Sequence, residues 1–288
     1  MSGFSETPAL YSAAVLTLLI VILAFAAGLI AYGWFEAGWL RTRVLDVRLD
    51  GLPEALDGLR IGHLSDFHLG APLSRGNGAS ARAVDWVVER QPDLVCVTGD
   101  LVSHPRGEPW LRELLSRLER PFVVLGNHDV AVTRDPFSRA AELQDLERAR
   151  LLRDELETIE LRGQPIAIVG VDPESYRGRF AKPHTRLEPG AGAALRILLC
   201  HFPGIVRGIP TGSFDLILAG HLHAGQICLP FPGKRVALAH PRERLVAGLY
   251  RTPAGSMHVS PGTGTTFVPL RFFARPEVTE LVLRRALD

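Results

Sequence analysis

Cysteine is scarce in this sequence: Cys96, Cys200 and Cys228 are the only three in 288 residues. An odd number without paired spacing argues against a disulfide framework and suits a reducing compartment. Cys96 and Cys200 sit in apolar runs and read as small buried hydrophobes. Net charge is also nearly missing. Lys+Arg number 32 against 31 Asp+Glu, and a balance of +1 offers no general attraction for nucleic acid, so none is expected as a partner. There is no internal repeat and no Gly/Ser linker after residue 40, so residues 41–288 are expected to fold as one domain. Disorder is excluded by a hydrophobic content of 47% against 22% charged.

A third absence is local. No charged residue occurs between Thr7 and Phe35, and "ALYSAAVLTLLIVILAFAAGLIAYGWF" exceeds the roughly 20 apolar residues that span a bilayer. Trp34, Phe35 and Trp39 at its end have the character of an interfacial aromatic belt. Residues 1–40 are therefore expected to be a single-pass membrane anchor. The rival is a cleaved signal peptide with "AFA" at Ala24–Ala26 as its small-residue site, but no basic residue precedes the segment and its apolar core is too long. Arg41, Arg43 and Arg48 follow it, and Glu6 is the only charge in the first ten residues. The positive-inside rule then places the rest of the chain in the cytoplasm, on the inner or plasma membrane.

Beyond residue 40 the sequence alternates. "RVLDVRL", "LRIGHLSD", "DLVCVTGD", "PFVVLGNHD", "PIAIVGV", "LRILLCHFP" and "FDLILAGHLH" have the character of strands. "ARAVDWVVER" and "WLRELLSRLER" have helical spacing, and a helix is also expected over "SRAAELQDLERARLLRDEL". "VTELVLRRA" near the end alternates like an edge strand. Strands and helices at this pitch predict a layered α/β domain built on a parallel sheet.

The strand exits carry most of the chemistry. One gives Asp66 and His68, the next Asp100, and the next Asn127, His128 and Asp129. Later exits give His201, then His221 and His223. In an open parallel sheet the carboxyl ends of the strands share one edge, so residues scattered from 66 to 223 are expected to converge. Asp66-x-His68 and His221-x-His223 place two ligands at i and i+2. On an extended chain these project to one side, so each pair is expected to aim at one place. Taken singly, a histidine after a strand or an Asp after Gly is more often a loop or turn residue. Five such signals at strand exits in one chain outweigh that reading. The donors are oxygen and imidazole without thiolate, which suits Mn(II), Fe, Zn(II) or Co(II). Seven donors are too many for one catalytic ion with an open position, and two ions about 3.5–4 Å apart sharing a carboxylate fit better.

These motifs resemble those of the calcineurin-like metallophosphoesterases in order and spacing along residues 58–225. "LDGLRIGHLSDFHLG" and "VSPGTGTTFVPLRFFARPEVTELVL" are similar to a bacterial branch whose members are often membrane-anchored or exported. The resemblance implies a two-sheet β-sandwich flanked by helices. It implies that Asp66, His68 and His223 hold one divalent transition-metal ion and Asn127, His201 and His221 the other, with Asp100 bridging. Manganese is the first expectation, with iron, zinc or cobalt as alternatives. It also implies that His128 contacts the substrate phosphate and assists the leaving group, and that Asp129 accepts the other ring proton of His128 and so orients it. Phe202, Ala224 and Pro261 depart from what is common in the branch, and this bears on the substrate rather than on the ligands.

The reaction expected is phosphoester hydrolysis of the phosphodiesterase type by a hydroxide bridging the ions. Between Ile227 and Arg275 seven basic residues (Lys234, Arg235, Arg242, Arg244, Arg251, Arg271, Arg275) stand against Glu243 alone, interleaved with apolar side chains. Either this is a core with a solvated basic face, or it is a surface that lies on anionic lipid, with Arg242 and Arg244 facing the membrane. The second reading favours a lipid-linked substrate, as in hydrolases of UDP-2,3-diacylglucosamine. A different class of protein, a catalytically inactive membrane-tethered metal-binding protein, would be signalled by loss of the bridging carboxylate or of His128, and both are present.

Overall fold

The computed structural model describes residues 7–176, 192–231, 234–239 and 241–286, the side chains of residues 7–11, 234 and 235 excepted. Glu6 and the side chains of Lys234 and Arg235 lie outside that description.

The apolar strand runs form two six-stranded sheets, packed face to face. The first has the order β1 (Arg41–Leu49), β14 (Glu277–Arg285), β2 (Arg60–Leu64), β3 (Leu94–Thr98), β4 (Phe122–Val124), β5 (Arg150–Leu151). The second has the order β12 (Gly248–Thr252), β13 (Gly255–Val259), β9 (Leu216–Ala219), β8 (Leu195–Leu199), β7 (Gln164–Gly170), β6 (Glu155–Leu161). Both are mixed. β2 to β5 run parallel, as do β7, β8, β9 and β13, while β14 meets β2, β6 meets β7 and β12 meets β13 antiparallel. A short hairpin, β10 (Cys228–Phe231) with β11 (Lys234–Ala237), stands apart. The two-sheet sandwich with outer helices matches the expectation from the resemblance, whereas composition and periodicity alone reached only a layered parallel sheet.

The central strands are apolar on both faces because both are covered. In β3, Leu94 and Cys96 point into the sandwich with Ile166, Ile197 and Leu218. Val95 and Val97 point outward onto Val84 and Val87 of α2 (Gly76–Arg90) and Leu111, Leu114 and Leu115 of α3 (Glu108–Ser116). Burying each such Leu or Ile stabilises the fold by about 1.5–3 kcal/mol. All three cysteines are buried.

Two expectations fail for stated reasons. The segment from Ser138 is not helical up to β5. Its Leu143 and Leu146 fill the outer core from an irregular chain, and its backbone is held instead by Arg139 N–H donating to Ser103 O and Ala141 N–H to Asp129 O. Tertiary packing overrides helix propensity here. The last strand, β14, is not an edge but lies between β1 and β2. Its alternation is misleading because the polar positions are themselves buried: Glu280 is 1% exposed and is bridged by Arg60 and Arg90.

The first helix, α1 (Thr7–Ala37), is of a length and composition that can cross a membrane. Among its described side chains only Gly33, Glu36 and Ala37 are buried, all at its C-terminal end.

Candidate metal centre

The carboxyl ends of β2, β3 and β4 lie side by side in the first sheet and those of β8 and β9 in the second, with β3 packed on β8 and β9. The segments leaving these strands meet at one edge of the sandwich. Asp66 N–H donates to Gly99 O (2.9 Å) and His68 N–H to Asp100 O (2.9 Å), which fixes the first two exits together. His221 N–H donates to Asp66 Oδ1 (3.0 Å), joining the second sheet to the first. The joint is too tight for side chains: a Cβ on Gly220 would overlap Ser65 Oγ and Asp66 Oδ2, and one on Gly126 would overlap Asp100.

Asp66, His68, Asp100 and His223 form one cluster of donor atoms and Asp100, His201 and His221 another, each with its donor atoms within 4.8 Å of one another. Asn127 Oδ1 is 3.1 Å from His201 Nε2. Every sequence-predicted ligand is thus brought together, and Asp100 belongs to both groups. The spacing argument behind this needs correction. Asp66 (φ 52°), His68 (φ 48°), Asp100 (φ 52°), His221 (φ 77°) and His223 (φ 49°) are all left-handed, not extended. His221 and His223 accordingly separate, one to each cluster. Left-handed backbone costs about 1–2 kcal/mol per residue, and its concentration on members of the two donor clusters is the strain expected of a functional site.

The donor set fits cations. His201 Nδ1–H donates to Thr98 O (2.8 Å), which turns the bare Nε2 toward Asp100 Oδ2 (3.1 Å) and Asn127 Oδ1, two further acceptors. Acceptors facing acceptors require a positive charge between them. Without a metal a proton must serve: burial opposes the charged His201 ring, yet Asp100 lifts it to about 9. Burial pushes Asp66 up to about 7 against the pull of His201, with the Asp100 charge adding to the push. Burial also opposes the Asp100 carboxylate, but His201, His128 and His68 outweigh it and hold it well below the usual range.

His128 lies against His68, ring centroids 4.6 Å apart and perpendicular. Its Nε2 is 3.3 Å from Thr133 Oγ1, and its buried Nδ1 has no hydrogen-bond partner among the described residues. The expectation that Asp129 orients this ring is therefore corrected. The Asp129 carboxylate accepts from the backbone N–H groups of Gly126 (2.8 Å), Val102 (2.9 Å) and Leu101 (3.2 Å). Buried next to the Asp100 charge, it is raised to about 7. Its place is to tie the loop after β4 to the exit of β3, while the His128 backbone N–H donates to Asp100 Oδ1 (2.8 Å).

Several supporting residues escaped the sequence reading. Ser65 Oγ donates to Asp66 Oδ2 (2.5 Å) and Thr98 Oγ1 to Ser65 Oγ (2.8 Å). Thr98 Oγ1 is 2.9 Å from His63 Nε2, and His63 Nδ1 is 2.7 Å from His258 Nδ1. Because Thr98 spends its proton on Ser65, His63 Nε2–H must donate to Thr98, and His258 Nδ1–H to His63. The chain of donors runs one way, from the second sheet to Asp66, and leaves His258 Nε2 buried without a partner among the described residues. On the opposite side Arg271, wholly buried, donates to Gly264 O (2.6 Å), Ala274 O (2.8 Å) and Pro261 O (3.0 Å), and its Nη2 is 3.2 Å from His223 Nδ1. The sequence reading counted Arg271 in a basic face; it is a core residue. The signal available for the first set was small polar residues directly before Asp66 and Gly99; nothing local marks His258 or Arg271.

The centre opens into a cleft of about 550 Å³. Asp100, Asn127, His128, His221 and His223 form its floor, and Leu222, Ile227, Leu238, Phe267 and Val268 make much of its wall, with Thr133, Arg134, Gln226 and Thr266 as polar members. Arg242 and Arg244 are exposed and are not among its described lining residues.

The calcineurin-like phosphoesterase family matches residues 59–225. A metallophosphoesterase of Bacillus subtilis, YkoQ, is 31% identical over 239 residues, 80% of this chain and 85% of its own length. A Danio rerio transmembrane protein with a metallophosphoesterase domain is 32% identical over 290 residues, covering 93% of this chain and 63% of its own. The phosphodiesterase YaeI of Escherichia coli is 28% identical over 259 residues, 87% and 89% of the two chains. Seven oxygen and nitrogen donors gathered at strand exits within the matched region leave one conclusion: the chain belongs to the calcineurin-like phosphoesterase family, as a metal-dependent phosphoric ester hydrolase.

Proposed function

We propose that the protein is a phosphodiesterase with a two-ion centre, tethered to the membrane by residues 1–40 and catalytic over residues 41–288. The observation that carries this is the pair of donor clusters sharing Asp100. Asp66, His68 and His223 serve one ion, and Asn127, His201 and His221 the other, with manganese the first choice for both. When bound, the ions supply Lewis acidity, neutralise phosphate oxygens and lower the pKa of water. The protein contributes the rest. Asp100 holds the charge at the centre of the site, and the donors behind Asp66 and His201 fix which atoms face inward. His128 reaches the substrate phosphate from the cleft floor and gives a proton to the leaving oxygen, and Asp129 holds the loop that carries it. Arg134 at the cleft side adds positive charge for the non-bridging oxygens.

A second reading has a specific observation behind it. The wall of Leu222, Ile227, Leu238, Phe267 and Val268 suits an apolar substituent next to the phosphate, which favours a lipid-linked phosphoester or pyrophosphate of the UDP-diacylglucosamine kind. Arg41, Arg43 and Arg48 after the anchor favour a cytoplasmic catalytic domain, and Arg242 and Arg244 are assigned an accessory contact with anionic headgroups. The test is phosphodiester hydrolysis by the purified full chain before and after chelation. Loss of turnover and its return with Mn(II) are expected. Turnover that survives exhaustive chelation overturns the reading. Tight metal binding without turnover of any soluble or lipid diester makes the protein the inactive metal-binding alternative.

A further inference from the structure

The end of α1 is built into the wall of the cleft. Its buried positions, Gly33, Glu36 and Ala37, follow i, i+3, i+4 spacing and face residues 271–274. Arg271 N–H donates to Gly33 O (3.0 Å), the Phe272 ring lies against Gly33, and Ala274 N–H donates to Glu36 Oε1 (2.7 Å). Tyr32 packs on Phe272 and Phe273, with ring centroids 6.0 Å and 6.5 Å apart. The same segment is bolted to the cleft. Phe272 N–H donates to Gln226 O (2.9 Å), and the Gln226 side chain donates to Thr266 O (2.8 Å) and Val268 O (3.1 Å) while accepting from Thr266 N–H (3.0 Å). Gln226, Thr266, Phe267 and Val268 all line the cleft. The apolar helix and the cleft wall are therefore one packed unit.

Depth follows from helix geometry. α1 rises about 1.5 Å per residue, so Tyr32 lies about 7.5 Å along its axis from the helix end at Ala37, with Trp39 just beyond that end. The headgroup layer on each side of a bilayer is about 5–7 Å thick. With Trp34 and Trp39 in that layer, whatever packs on Tyr32 and Gly33 reaches the edge of the hydrocarbon. The side chains there suit it. Leu73, whose carbonyl accepts from Trp34 Nε1–H (3.1 Å), is 82% exposed, and Phe267, Val268 and Phe273 are 40–50% exposed. Around the helix base, Arg75 stacks on Trp34 (4.4 Å), Arg275 stacks on Trp39 (3.8 Å) and Arg82 donates to Gly38 O, three cations at headgroup level.

We infer that the catalytic domain sits in the membrane interface through Leu73 and the 267–273 segment, so that the mouth of the metal cleft opens at the level of the lipid headgroups. The chain is then more than tethered: the cleft takes its phosphoester from the bilayer surface, with the apolar part of the substrate entering along Phe267 and Val268. This rests on α1 crossing the membrane, as proposed above.

The test uses the full chain in lipid nanodiscs, with a fluorophore at one introduced cysteine and spin-labelled lipids as depth-dependent quenchers. Leu73→Cys and Phe273→Cys mark the proposed contact, Leu23→Cys the middle of α1, and Leu156→Cys an exposed site on β6. The inference predicts strong quenching at 73 and 273 by labels near the headgroup, strong quenching at 23 by labels deep in the chains, and none at 156. Quenching at 23 with positions 73 and 273 as dark to lipid as 156 overturns it while leaving the anchor intact. No quenching at 23 overturns it through the anchor itself. Neither result bears on whether the metal centre hydrolyses diesters.

Discussion

The two sheets make unlike contributions to the centre. The first supplies every oxygen donor, Asp66, Asp100 and Asn127, together with His68. The second supplies only imidazoles, His201, His221 and His223. One side of the sandwich thus brings the carboxylates and the amide oxygen, and the other brings only imidazoles. The join is made by bonds that cross between the sheets: His221 N–H to Asp66, His201 to Thr98 O, and His258 to His63. A site split in this way can assemble only when the sandwich closes, so its geometry reports on the packing of the whole fold. The exit of β7 shows the contrast. It too ends in an acid, Asp172, but that carboxylate is occupied by Arg153 and takes no part.

The difference between the sheets can be tested from its strongest consequence downward. Asp100→Asn removes the charge common to both clusters. Metal content and turnover should both fall to the level of the chelated protein, as checked by elemental analysis and a diester assay. His128→Ala removes no member of either donor cluster and keeps the backbone N–H that donates to Asp100 Oδ1. It should keep the ions and lose rate by roughly 10²–10⁴-fold if the ring acts as a general acid, and loss of metal as complete as in Asp100→Asn would remove that role. Ser65→Ala cuts the donor chain at its last link. Metal affinity should drop about 10–100-fold, as for other partners of ligating groups, with the cluster on the His201 side less affected.

His258→Gln, at the far end of the same chain, should alter pH dependence more than metal binding. Burial, with the charge of Arg43 adding, lowers His258 to about 3, and burial holds His63 well below its usual value. Both rings are neutral in the fold. In the unfolded chain they take up protons below about 6.5, so their stabilising share is complete above that value and is lost as the pH falls toward 3. Wild-type denaturant midpoints should decline over this window, and those of His258→Gln should decline less steeply. Equal slopes would mean that His258 is not held neutral in the fold.

What could be foreseen from sequence follows the same division. The members of the two donor clusters were legible because metal chemistry favours particular side chains, and those stand at strand exits where apolar runs stop: Asp66, Asp100, His201. Their partners were not. Arg271 supports the site through backbone carbonyls, which leave no trace in sequence, and His258 reaches it only because β13 pairs with β9 in the second sheet. The role given to Asp129 failed because a carboxylate next to a histidine in sequence is also next to backbone N–H groups, and these took it. The helix expected over residues 138–156 failed because its leucines are used by the core from an irregular chain laid over the site loops. Sheet order, too, is fixed by long-range pairing: β14 closes the first sheet between β1 and β2 though Leu49 and Glu277 are 228 positions apart in sequence (277 − 49).

The most direct measurement counts ions per chain in the purified full-length protein and in two variants that differ by two positions, His221→Ala and His223→Ala. These histidines, one residue apart, go to different clusters that share Asp100. Two ions are expected in the wild type and about one in each variant, with different spectroscopic signatures when Co(II) or Mn(II) fills the remaining site. A single ion in the wild type, or the same ion lost in both variants, would contradict a centre divided between the two sheets.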